Sequence, residues 1–294
     1  EDAKLSISQS ELFPLRDLLS LLDVAPNPWL ETLNAINQGW AAWGHLNHKS
    51  LDWIGHLQPI EPLKDIQNLL TRSPFLMLTS SSSNCLLLED LEAINCSVDV
   101  SVSLEDMIDL DPIQLFVPFL QPLPNTEYFA DYLLEQCRRL ILGIQGLTII
   151  LLEDDQLRRQ LTSQLAAEFG VRVIHQLTSP QSNGVICCTC SWWIKNYEQL
   201  PTPHQLIVAM LPFASLESPL LAAQVNEYKK RGRDWFRDLL LPDVLNILPC
   251  VLQPIRGKEG RVAVLDGRLR SRSWGELVFR AFEPWTPLER LLPN

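Results

Sequence analysis

The spacing of apolar residues changes character near residue 75. Beyond it, short apolar runs alternate with stretches in which apolar residues recur every three to four positions. The runs are FLMLTS (75–80), QLFVPF (114–119), LTIILL (147–152), VRVIHQ (171–176), GVICCTC (184–190), QLIVAM (205–210) and RVAVLD (261–266). Each is expected to be a strand or extended segment. Between them the helical period predicts a short helix over 86–94. Asn125 or Thr126 is expected to cap a helix through Phe129, Leu133, Cys137 and Leu140. Asp154 should cap another through Leu157, Leu161, Leu165 and Phe169, which Gly170 stops. Further helices are expected over about 216–231, 233–253 and 274–282.

Residues 1–73 read differently, as a helical segment. Ser8 and Glu11 fit a capping box ahead of Leu12, Leu15, Leu19 and Leu22. After a break at Pro26 and Pro28, Trp29, Leu33, Ile36, Trp40 and Trp43 recur at helical spacing, a stripe expected to be core or an interface. A further helix is expected from Pro62 to Leu70.

Strands that are apolar throughout are buried on both faces, which points to a mostly parallel sheet covered by helices. The pattern thus predicts a doubly wound α/β domain over 74–294, preceded by the helical segment 1–73. In such sheets ligands bind beyond the carboxyl ends of the strands. Those ends here are residues 79–82, 153–155, 189–193, 212–215 and 266–268.

Composition narrows the function classes. Hydrophobic residues at 46% with 20% charged describe a globular chain. No apolar run is long enough to span a bilayer, so no membrane association is expected. No signal peptide is read at the start, and an opening on Glu1 rather than methionine is that of a fragment or a processed product. Seven cysteines make an odd number for a disulfide framework. Cys187, Cys188 and Cys190 are expected as buried free thiols of a reducing cytoplasm, with Cys187 and Cys188 on opposite faces of one strand. The net charge of −11 argues against indiscriminate nucleic-acid binding. Residues 226–280, however, hold twelve Lys/Arg against seven Asp/Glu. That stretch is either a phosphate-binding face or a solvated helix surface.

Several chemistries have no residues to run them. There is no GxxxxGK[ST] loop to cradle a triphosphate and no GxGxxG after a strand. There is no HExxH, no paired CxxC and no GxSxG. His45 and His48 lack a second ligand pair, so no metal site is expected. The carboxylates Glu153 and Asp154 begin a helix, where they favour the dipole and cap free N–H groups.

The last third carries a recognisable succession. Leu211-Pro212-Phe213 with Pro219-Leu220 is followed by Gly232, Phe236 and Leu241-Pro242. Then come Leu265-Asp266, Arg268-Leu269 and Trp274-Gly275, and earlier in the chain Leu78-Thr79-Ser80. In order and spacing this resembles the C-terminal, second RecA-like domain of DinG/XPD-like superfamily 2 DNA helicases, over about residues 74–294. It is similar in particular to shortened, divergent DinG-like proteins of cyanobacteria. The resemblance implies a RecA-like fold, ATP hydrolysis with Mg²⁺, and single-stranded DNA as partner.

Departures from the family pattern limit that activity. The family's QxxGRxxR stretch aligns with residues 249–256, where Pro249 and Gln253 replace the leading glutamine and first arginine. Arg256 survives as the arginine-finger candidate, with Gln253 beside it as a nucleotide contact. Pro249 and Pro254 argue against a regular helix there. The family's FWEGVD loop becomes Trp192-Trp193-Ile194-Lys195-Asn196-Tyr197, and LTSAT becomes LTSSS. Glu1-Asp2-Ala3-Lys4 is similar to a remnant DEAH box. The resemblance implies DNA contacts from Thr79, Ser80, Lys229, Lys230, Arg231, Arg268, Arg270 and Arg272, with Trp193 stacking on a base. ATP and Mg²⁺ would bind only with a first motor domain that this chain lacks. No iron–sulfur cluster is expected, because residues 1–80 contain no cysteine. Two other readings remain: a pseudo-helicase that binds a protein partner through residues 1–73, and an unrelated α/β enzyme acting on a small molecule.

Overall fold

A computed structural model describes residues 4–6, 39–47, 52–78, 91–102, 111–256 and 260–288. In chain order its elements begin with β1 (Lys4–Ser6), β2 (Trp40–Asn47), β3 (Asp52–Pro59), α1 (Pro62–Leu70), β4 (Ile113–Phe116), α2 (Phe129–Leu142), β5 (Thr148–Leu151), α3 (Asp155–Phe169) and β6 (Val173–His175). They continue with β7 (Val185–Cys188), α4 (Cys190–Asn196), β8 (Gln205–Val208), α5 (Pro219–Lys230), α6 (Leu241–Leu252), β9 (Arg261–Val264), α7 (Arg268–Ser271), α8 (Gly275–Ala281) and β10 (Trp285–Pro287). The chain divides into two compact units. One draws on residues 1–79, 84–101 and 214–239, the other on 80–83, 102–213 and 240–294.

The larger unit is a seven-stranded sheet in the order β10-β4-β9-β8-β5-β7-β6, every pair parallel. Its central strands β5, β7 and β8 are buried at every position, which is why they read as unbroken apolar runs. On one face Ile150, Cys187, Ile207 and Ala263 meet Phe129, Leu133, Cys137, Leu161 and Leu165 from α2 and α3. Alternation sends Ile149, Ile186, Leu206 and Val208 to the opposite face, and these are also fully buried. Each buried Leu or Ile contributes roughly 1.5–3 kcal/mol relative to exposure. The RecA-like α/β expectation holds. Asp154 caps α3 as the sequence predicts, accepting the Leu157 N–H at 2.8 Å. Gly170 ends that helix at φ 70°, a left-handed conformation that glycine adopts without steric cost.

Pro249 falls inside α6, contrary to the expectation that prolines would prevent a helix there. A mid-helix proline costs about 3 kcal/mol through its missing N–H and its ring. The burial of Val244, Leu248, Val251 and Leu252 on the same helix offsets that cost. By length and composition the helical stretch Phe236–Ile255 could cross a membrane. Those same buried residues make it a core helix. Arg237, Asp238 and Asp243 interrupt the stretch, so no unbroken apolar span shows in the sequence.

The smaller unit departs further from expectation. Trp40–Asn47 and Asp52–Pro59 pair as antiparallel strands, β2 with β3, and Trp40 and Trp43 are not on the helix read from them. Trp43 stacks on its cross-strand partner His56, centroids 5.2 Å apart and 14° from parallel. Cross-strand aromatic pairing of this kind outweighs a three-residue spacing that two alanines leave ambiguous. The earlier part of that stripe, and the capping box at Ser8, lie outside the described residues. The helix Pro62–Leu70 forms where predicted. The run at 75–80 is not a strand over its described residues 75–78, and Leu76 and Leu78 are more than four-fifths exposed. An apolar run becomes a strand only beside a ladder partner, and 75–78 have none among the described residues.

Candidate functional site

Three of the signatures that carry the family resemblance, at 211–213, 265–269 and 274–275, meet at the carboxyl ends of β8 and β9. Asp266, 0% exposed, accepts the Leu211 N–H at 2.9 Å and the Arg268 N–H at 2.9 Å. The Arg268 side chain closes the pair, Nη2 to Oδ2 at 2.6 Å. Its guanidinium lies 4.8 Å from the Phe213 ring centroid, and Phe213 meets Trp274 edge-to-face at 5.2 Å. Gly267 is required for packing, since a Cβ there would stand 2.5 Å from the Pro122 carbonyl oxygen. A Cβ on Gly275 would run into the Leu269 carbonyl. The LPF, LD-RL and aromatic-Gly signatures are thus one clasp between neighbouring strand ends. A buried ion pair loses about 3–5 kcal/mol when one partner is removed.

A second polar group gathers at the ends of β5, β6 and β7. Arg158 of α3 is buried, donating to the Leu152 carbonyl at 3.0 Å, the Glu153 carbonyl at 3.2 Å and His175 Nε2 at 3.2 Å, and pairing with Asp155. Burial, then the Arg158 charge, lowers the His175 pKa. Glu153 accepts the Cys190 N–H at 2.7 Å, and Thr189 caps α4 by accepting the Trp192 N–H at 3.1 Å. The cysteines at 187, 188 and 190 are buried free thiols, although Cys190 begins a helix and does not continue the strand. Burial pushes the Cys187 thiol up to about 11.

The remaining expected site residues separate into committed and available side chains. Trp193 is fully buried and donates its Nε1–H to the Val251 carbonyl at 2.9 Å. That placement corrects the base-stacking expectation, because a ring inside the core presents no face to DNA. Arg256 donates to four backbone carbonyls: Glu283 at 2.9 Å, Phe282 at 3.0 Å, Pro284 at 3.2 Å and Asp111 at 3.3 Å. Burial lowers its pKa from the ordinary arginine value. Gln253 is exposed in the turn that ends α6. With Arg256 so engaged, these two residues do not form a triphosphate seat by themselves.

In the smaller unit, Arg231 is held by Glu61 at 2.6 and 2.8 Å and by Glu227 at 2.7 Å. Lys230 stands 4.0 Å from Glu227, and Lys229 lies over the Trp235 ring at 5.6 Å. Arg268, Arg270 and Arg272 all belong to the sheet-bearing unit, on or just after α7. Arg270 and Arg272 are exposed, and neither has a carboxylate partner among the described residues. Thr79 and Ser80 lie outside the described residues. Sequence reasoning passed over Arg158, whose signal is a charged residue beside the core stripe of an amphipathic helix. It also read Phe119 only as the last residue of the apolar run 114–119 and not as a site residue.

No family model matches the chain. Over 275 residues it is 24% identical to the ATP-dependent DNA helicase YoaA of Escherichia coli (strain K12), covering 87% of this chain and 43% of that protein. It is 28% identical over 104 residues to the ATP-dependent DNA helicase YoaA of Haemophilus influenzae, covering 34% of this chain and 16% of that one. The chain therefore spans less than half the length of the curated relatives it matches. Among solved structures it resembles an XPD helicase, with a TM-score of 0.57 at 11% identity over 98% of this chain and 58% of the other. It also resembles S. tokodaii Xpd4, with a TM-score of 0.51 at 10% identity over 98% of this chain and 62% of the other. Those two likenesses concern the fold.

Proposed function

We propose that this chain, DinG/XPD-like in sequence and fold, is the second motor half of an ATP-dependent DNA helicase. In this reading residues 74–294 carry the RecA-like domain, which lies in the cytoplasm and binds single-stranded DNA. ATP and Mg²⁺ are held by a first motor domain that supplies the phosphate loop. The observation that carries the reading is the clasp at the ends of β8 and β9, where Leu211, Phe213, Asp266, Arg268 and Trp274 meet on a seven-stranded parallel sheet.

The chain's own residues contribute binding and not chemistry. Arg270 and Arg272 offer positive charge to a phosphate backbone, a term that weakens as salt rises. Arg256 serves first to hold the segment before β10, and acts as an arginine finger only if it leaves those carbonyls when the two motor halves close. The purified chain is expected to show no DNA-stimulated phosphate release. It is expected to bind a labelled 20-mer of deoxythymidine at low salt, measured by anisotropy. Phosphate release that disappears in Arg256→Ala contradicts the first expectation, and no strand binding at any salt contradicts the second.

A second reading is a pseudo-helicase that scaffolds a protein partner. The burial of Trp193 and the engagement of Arg256 favour it, since both positions are then structural. Ile54 and Leu57, on opposite faces of β3, are exposed apolar side chains of the smaller unit that such a partner could cover. Absence of strand binding together with stable capture of the parent's other domains would move the assignment to this reading.

A further inference from the structure

A groove of about 660 Å³ opens where β4 leaves the sheet beside β10. It is apolar except for one charged residue. Phe119, Phe279, Trp285 and Pro287 stand in its walls, and Arg270 is its cation. The Arg270 guanidinium lies 4.6 Å from the Phe119 ring centroid and 5.9 Å from that of Phe279. Its Nη2 and Nε donate to the Val117 and Pro118 carbonyls at 2.9 and 3.2 Å, which fixes the fork in place. Phe279 and Trp285 form a tilted pair with centroids 6.1 Å apart. Phe119 is 86% exposed, with one face toward Arg270 and the rest of its ring open to solvent.

We infer that this groove seats a planar heterocycle bearing a phosphate: an unpaired nucleobase, stacked on the aromatic walls, with its phosphate on Arg270. Three features select this ligand. The volume lies in the range of small-molecule pockets. Aromatic rings accept any base through its π-face, and a guanidinium beside them adds cation–π attraction. Charge complementarity selects an anion, because Arg270 and the nearby Arg272 have no carboxylate among the described residues, whereas Arg280 has Glu276 at 4.0 Å. An apolar peptide would use the walls and leave Arg270 unmatched. The inference deepens the DNA-binding reading and rests on it for the source of the base, but the pocket chemistry is the same for a free nucleotide.

The test compares three probes on the full chain and on Phe119→Ala and Trp285→Leu. The probes are a labelled 15-mer of deoxythymidine, an abasic 15-mer of equal charge, and thymidine monophosphate as competitor or direct ligand. Phe119 is exposed enough that its alanine variant folds, and matching thermal melts check this. The thymidine strand should bind roughly tenfold more weakly to each variant, while the abasic strand is unaffected. Monophosphate binding that is lost in Phe119→Ala also supports the pocket and identifies free nucleotide as a source. If both strands bind equally and neither variant changes them, the groove inference is overturned while DNA binding stands. If only the monophosphate binds, and does so through Phe119, the pocket stands and the DNA reading fails. If nothing binds, both fail.

Discussion

Arg268 and Arg270 lie two residues apart on the same short helix, and their surroundings differ completely. Arg268 faces a carboxylate with no exposure, a neighbouring backbone and one aromatic ring, so its charge is neutralised where it sits. Arg270 faces two carbonyls and two rings at the mouth of a groove, so its charge remains to be used. A count of basic residues treats the two alike. Burial and partner chemistry make the first a clasp between strands and the second a contact for an anion.

Breaking the clasp should have the largest effect. Asp266→Ala strands the Arg268 charge and the Leu211 N–H, and is expected to cost about 3–5 kcal/mol of stability in thermal or urea unfolding. A loss below about 1 kcal/mol would mean that Arg268 is as available as Arg270. Next comes Trp193→Phe, which removes the Nε1–H bond to Val251 and part of a fully buried ring. It should cost about 2 kcal/mol and leave strand binding unchanged. A selective loss of binding with no stability change would restore the stacking role. Arg256→Ala frees four carbonyls and should loosen β10, seen as faster amide exchange at Leu288, whose N–H bonds to Leu115 at 2.9 Å. Unchanged exchange there would leave Arg256 open to a purely catalytic role.

The smallest effect concerns a third arginine environment. Arg231 holds the Glu61 carboxyl at about 2, well below the usual carboxylate range. A depressed carboxylate pKa gives stability that is present above the unfolded value and lost as pH falls toward 2. The pair is part-exposed and screened, so the change should stay below about 1 kcal/mol and shrink further in salt. An acid titration of Glu61→Gln against the parent chain checks this, the expectation being that the two converge at low pH.

The sheet was legible in the sequence because parallel strands buried on both faces leave unbroken apolar runs. β5, β7, β8 and β9, with Asp154 and Gly170 bounding α3, appear where the pattern puts them. The β2–β3 pair was not legible, because Trp40 and Trp43 suit a helix face and a strand ladder equally until a partner such as His56 is known. The run at 75–78 misled for the related reason that apolar content does not supply a neighbouring strand. Motif alignment picked out Trp193 and Arg256 along the chain but carried no orientation. Trp193 turns inward to Val251, and Arg256 reaches carbonyls at residues 282–284, contacts that only the folded chain brings together. The groove at Phe119 and Trp285 joins residues far apart in sequence and has no local signature.

Strand affinity measured against salt for the parent chain and for an Arg270→Gln, Arg272→Gln double variant tests the DNA-binding claim most directly. The account predicts that log affinity falls with log salt, and that the variant binds more weakly with a slope shallower by about 1.4, two contacts at about 0.7 each. Binding that ignores salt, or a slope identical in both proteins, would contradict a phosphate-reading face at this end of the sheet.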